Sequence, residues 1–176
     1  EARTNLKLLI IQMARGAKGA SDEEAGAIEN AVNAVWDAHG RAGSIDLVAE
    51  HLRRDHGDRG ANLDVSLTPF TSRGNYGRFF NGSANLEIAN AYTVFEMEDL
   101  EAKPELRAVV VLQILALVRE RMRKGGRQLK KALIIDEAWS LLGDGAAGKF
   151  IEGFARRCRK EGGALITGTQ SLEDFY

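Results

Sequence analysis

Asp136 and Glu137 stand side by side at the end of "KKALIIDEAWSLL" (130–142), where four apolar residues run straight into two carboxylates. An apolar run of that length reads as a strand buried on both faces. A carboxylate at its carboxyl end can hold Mg²⁺, usually through water, and a second one beside it can polarise an attacking water, provided it lies within hydrogen-bond reach. The chemistry implied is metal-assisted phosphoryl transfer. The competing reading is a strand leaving a sheet into an acidic helix start, where carboxylates complement the helix dipole.

Such a pair needs a phosphate cradle. The Walker A pattern G-x-x-x-x-G-K-[ST] has one near match, Gly143 to Phe150 in "GDGAAGKF". Its last residue has no hydroxyl for Mg²⁺, and it follows the carboxylates where a phosphate loop should sit between a strand and its helix. It is expected to be a surface loop before a helix starting near Gly148. "RGAKGAS" (15–21) lacks the Gly-Lys pair altogether.

Two textures position these residues. Residues 1–85 read as an all-α lobe. Thr4 caps a helix to Arg15, and Ser21 with Glu24 forms a capping box opening a helix that stops at Gly40. Ser44 caps a third helix, and a fourth covers Ala61–Leu67. "TSRGNYGRFFNGS" (71–83) is a Gly/Asn-rich structured loop. Its interleaved Arg73, Tyr76, Arg78 and Phe79 could face nucleic acid, but a loop packed on the sheet, its glycines giving close approach, is the simpler reading.

Residues 86–176 alternate. Tyr92–Phe95 reads as a strand, Pro104–Lys124 as a long helix begun by a first-turn proline, Ala132–Ile135 as a strand, 148–160 as a helix and Ala164–Thr167 as a strand. Strand–helix–strand order implies a parallel sheet. On the helix before the last strand, Phe150, Ile151, Phe154, Ala155 and Cys158 make the apolar stripe. Arg156 and Lys160 point away from it, and Arg157 and Arg159 flank it. On its own pattern that basic run reads as a solvated face with favourable contacts to the helix C-terminus.

Composition narrows the class. The 176 residues carry a net charge of −1, so no bulk basicity points to nucleic acid, and a single cysteine excludes an internal disulfide. The longest apolar run falls short of the ~20 residues of a membrane span. His39, His51 and His56 lack metal-ligand spacing. The chain opens at Glu1 without a methionine and is expected to be an excised piece.

"NYGRFFNGSANLEI", "YTVFEMEDLE", "KKALIIDEAWSLL" and "FIEGFARRCRKEGGALITGTQSLEDF" follow one another in the order seen in the TraC family, which the chain resembles along nearly its whole length. TraC-type proteins are assembly ATPases of conjugative type IV secretion systems. The resemblance implies a partial RecA-like P-loop NTPase fold of α/β class, 86–176, beside an insertion-like helical lobe, 1–85. It places the Walker A loop upstream, so the isolated chain is expected neither to hold ATP tightly nor to hydrolyse it. In the whole protein the resemblance makes Asp136 the Walker B aspartate on Mg²⁺ and Glu137 the catalytic glutamate. Gln170 becomes the sensor in "TGTQ", and Arg157 or Arg159 a candidate to act on a neighbour's nucleotide. ATP and Mg²⁺ are the implied cofactors. A hexamer, inner-membrane secretion components and a cytoplasmic place at the bacterial inner membrane are the implied setting, with energy spent on pilus biogenesis and on transfer of DNA or protein. Two other readings stay open at this level: a HerA/FtsK-type DNA-pumping motor and a non-catalytic docking module.

Overall fold

The computed structural model describes residues 2–82, 90–124, 128–136 and 145–168. Backbone packing divides the chain into two units, Glu1–Leu106 and Arg107–Tyr176.

The first unit is helical. Helix α1 (Ala2–Arg15) starts two residues before the expected cap at Thr4, so Thr4 lies inside its first turn. Helix α2 (Asp22–His39) opens on the predicted capping box. The Ser21 hydroxyl accepts from the Glu24 N–H at 3.3 Å, and the Glu24 carboxylate accepts from the Ser21 N–H at 3.0 Å. Two of the free donors at a helix start are thereby satisfied. Gly40, with φ 55°, ends α2, and Ser44 caps α3 (Ile45–Asp55) through the Leu47 N–H.

Helix α4 (Gly57–Leu67) is a turn longer than its apolar pattern indicates. The reason is Gly60. A β-carbon there would lie 1.8 Å from the Leu52 carbonyl oxygen, so α3 and α4 approach at a point where no side chain fits. Ile28, Ala31, Ala49, Leu52, Leu63 and Leu67 fill the core between these helices. Arg15 ties three of them together, donating to Glu24 at 2.6 Å and to the Ser66 hydroxyl at 2.7 Å.

The loop after α4 packs onto its own helical unit, where the simpler of its two readings named the sheet; Gly74 and Gly77 give the expected close approach, a β-carbon at either meeting backbone oxygen at 2.1 Å. The ring of Phe70 meets Tyr76 at 5.4 Å and Phe80 at 5.6 Å. Thr71 is wholly buried, its hydroxyl donating to the Thr68 carbonyl. Gly77–Phe80 forms the short α5. Among the described residues the strand expected at Tyr92–Phe95 is not formed: 93–97 joins no ladder there, and Tyr92 and Val94 are 79% and 60% exposed. Alternating β-branched and aromatic residues make a strand only with a partner to pair with.

Helix α6 (Pro104–Lys124) begins at the expected proline. Strand β1 (Lys131–Ile135), helix α7 (Gly145–Cys158) and strand β2 (Gly163–Thr167) complete the second unit. The strands pair in parallel from Lys131↔Gly163 to Ile135↔Thr167. A cluster of Met122, Phe154 and Cys158 packs with Val118, Leu133, Phe150 and Leu165 on one sheet face. On the other face Ile134 and Ile166, partners in register, are 63% and 50% exposed. The expectation of a strand covered on both sides is therefore corrected: period-2 alternation puts Leu133 and Ile134 on opposite faces, and among the described residues only one face is covered. Ala155, placed in the apolar stripe of α7, is exposed as well. No helix among the described residues is long and apolar enough to cross a membrane.

Candidate functional site

β1 carries its apolar residues into the sheet and ends on the buried Ile135, after which Asp136 turns out into solvent. One further backbone bond follows the ladder, from the Gly168 N–H to the Ile135 carbonyl at 2.9 Å. It brings the residue after β2 alongside the residue after β1. A β-carbon built on Gly168 would lie 2.9 Å from Asp136 Oδ1 and 3.9 Å from its Cα and Cγ. The Asp136 carboxylate thus lies directly over the bare α-carbon of Gly168, at the carboxyl ends of two parallel strands. In open α/β sheets that is the edge where ligands bind.

Glu137 and Gln170 lie outside the described residues, as does the start of "GDGAAGKF". Its remainder, Gly145–Phe150, is helical and forms the opening turns of α7. This corrects the surface-loop reading of that segment. Lys149 is exposed on that helix, and Phe150 lies under the Arg119 guanidinium at 5.8 Å.

Arg157 and Arg159 are exposed at the end of α7 and in the turn behind it. Arg157 folds back over Gly153, where an added β-carbon would meet its guanidinium at 3.0 Å, and Arg156 pairs with Glu152. These arginines precede the first residue of β2, whereas Asp136 follows the last residue of β1. Four strand steps of about 3.3 Å, some 13 Å in all, lie between the two edges. Asp136 and the basic run therefore occupy opposite ends of the sheet. The residue that sequence reasoning passed over is Gly168. Its signal was present, since a glycine directly follows the strand that pairs with the aspartate's strand, but only the register shows that the two meet.

Known proteins place this geometry. A family model described as the TraG P-loop domain matches residues 22–176. The chain belongs to the TraG P-loop domain family. Within it the TraC resemblance holds: protein TraC of Escherichia coli (strain K12) is 33% identical over 164 residues, 85% of this chain and 19% of TraC. VirB4 of Thermoanaerobacter pseudethanolicus shares the fold with a TM-score of 0.74 at 20% identity, over 98% of this chain and 50% of that one.

A P-loop family implies a nucleotide and, ordinarily, Mg²⁺. Asp136 fits that ion: it offers hard oxygen donors at an exposed strand end, its carboxylate lying where a side chain at 168 would stand. Among the described residues no three His, Cys, Asp or Glu gather into a cage. Mg²⁺ asks for none, since it keeps several waters and takes one or two carboxylates together with substrate phosphates.

Proposed function

We propose that this TraG P-loop chain is the Walker B half of a RecA-like ATPase domain of a type IV secretion system, working in conjugation. The observation that carries the reading is the Asp136 carboxylate at the carboxyl end of β1, beside Gly168, in a chain of this family.

Asp136 would hold Mg²⁺ with its carboxylate, through water. Glu137, next in the chain, accepts a hydrogen bond from the attacking water and draws off its proton as the water oxygen bonds to the γ-phosphorus and the bond to the β–γ bridging oxygen breaks, releasing ADP. Gln170, two residues beyond Gly168, senses the γ-phosphate and reports hydrolysis to the subunit interface. Bound Mg²⁺ supplies neutralisation of the charge on the β- and γ-phosphate oxygens. Arg157 and Arg159 serve a neighbouring subunit, because the length of the strands separates them from their own Asp136. An assembly that brings one protomer's α7 to the next protomer's strand ends is thereby required, and a hexameric ring satisfies it. The whole protein works in the cytoplasm against the inner membrane, with secretion components as partners, and its ATP turnover supports pilus biogenesis and transfer of DNA or protein.

The test is steady-state ATP hydrolysis and nucleotide binding in the full-length protein. Glu137→Gln is expected to lower turnover by about 10²-fold or more while Mg-ATP still binds, and Asp136→Asn to weaken the Mg²⁺ dependence itself. Unchanged turnover in Glu137→Gln refutes the assignment.

A further inference from the structure

Glycines are kept for different reasons, and in this chain the reasons separate. Gly162, one residue before β2, has φ 75° and is held by backbone conformation. Gly168, one residue after β2, has no positive φ, so an L-residue could adopt its backbone without strain. Nor, among the described residues, is a wall of core atoms what a side chain there would meet first. The sub-3 Å neighbour of a β-carbon at 168 is Asp136 Oδ1, and the other two contacts, both at 3.9 Å, belong to Asp136 as well. The backbone cannot slide away, because the Gly168 N–H is fixed to the Ile135 carbonyl at 2.9 Å. A methyl group would therefore displace the carboxylate while leaving the strand in place.

We propose that Gly168 is a positioning residue: its missing side chain reserves the space in which the Asp136 carboxylate lies, and so sets which way the oxygens face. The proposal rests on Asp136 being the metal-facing residue and adds the element that aims it. Outer-shell groups that orient a metal-facing side chain typically contribute 10- to 100-fold in metal affinity.

The experiment compares Gly168→Ala, Asp136→Ala and the double variant in the full-length protein. Mn²⁺ stands in for Mg²⁺ and is titrated by electron paramagnetic resonance with a non-hydrolysable ATP analogue, and thermal midpoints are recorded alongside. Gly168→Ala is expected to raise the half-saturating Mn²⁺ concentration roughly tenfold or more. In the Asp136→Ala background the same change is expected to add nothing, because the group it displaces is gone. Should Gly168→Ala lower the thermal midpoint through crowding, the double variant is expected to regain it. If Asp136→Ala weakens Mn²⁺ and Gly168→Ala does not, the proposal for Gly168 falls and the Asp136 assignment stands. An equal effect of Gly168→Ala with and without Asp136 also overturns it, as does a thermal loss that the double variant fails to restore. If Asp136→Ala leaves Mn²⁺ binding unchanged, the metal assignment fails and takes this proposal with it.

Discussion

At the scale of single residues, one carboxylate sits where chemistry would use it and another where the fold does. Asp136 is exposed at a strand end, whereas Glu24 is spent on structure. The Arg15 guanidinium hydrogen-bonded to Glu24, with the Ser21 N–H behind it, holds the Glu24 carboxyl below its ordinary range. A folded-state value below the unfolded one stabilises above the ordinary glutamate value, and that stabilisation is lost as pH falls through the lowered value. The thermal midpoint of the helical unit is therefore expected to fall on acidification through that window. Glu24→Gln should start lower at neutral pH and fall less steeply, and equal slopes in the two proteins would contradict the assignment. The pairing was half legible beforehand: S-x-x-E announces the box, but Arg15 and Ser66 converge on it only through tertiary packing.

At the scale of elements, what could be read in advance was whatever depends on neighbours in the chain. Ser21, Ser44 and Pro104 announce helix starts through local hydrogen bonding and fixed φ, and α2, α3 and α6 begin there. Where long-range packing decides, the same reading slipped. Gly60 looks like a helix breaker, yet α4 runs through it because α3 needs a bare surface to approach. Gly60→Ala sets two effects against each other. Helix propensity favours alanine by about 1 kcal/mol, while a methyl placed 1.8 Å from the Leu52 carbonyl forces two backbones apart. Overpacking of that kind costs about 1–3 kcal/mol and more where backbone is the obstacle, so net destabilisation is expected. A midpoint in thermal or urea unfolding equal to or above that of the unchanged protein would show that the helices separate freely. Strand faces were opaque for a related reason. An apolar run fixes that β1 is buried somewhere, not how many of its faces are covered, and likewise Asp136 was legible as a carboxylate at a strand end while Gly168 depended on parallel register.

At the scale of the whole molecule, the two units differ in what unfolding would expose, and the chain carries a means of telling them apart. Its one cysteine, Cys158, is buried in the cluster beneath the sheet with Met122 and Phe154, its thiol directed to the Ala155 carbonyl. The helical unit contains no thiol. A water-soluble thiol reagent can react only when α7 lifts from β2, so labelling follows the opening free energy of that one unit. Under native conditions the modification rate is expected to fall well below that of an unfolded thiol, and to rise with urea along the unfolding curve of the second unit alone. Rapid labelling in the absence of denaturant would mean that the cluster does not close over the sulfur. The buried sulfur thus acts as a built-in clock: counting modified molecules against time measures how often α7 lifts from the start of β2, the end of the sheet opposite Asp136 and Gly168.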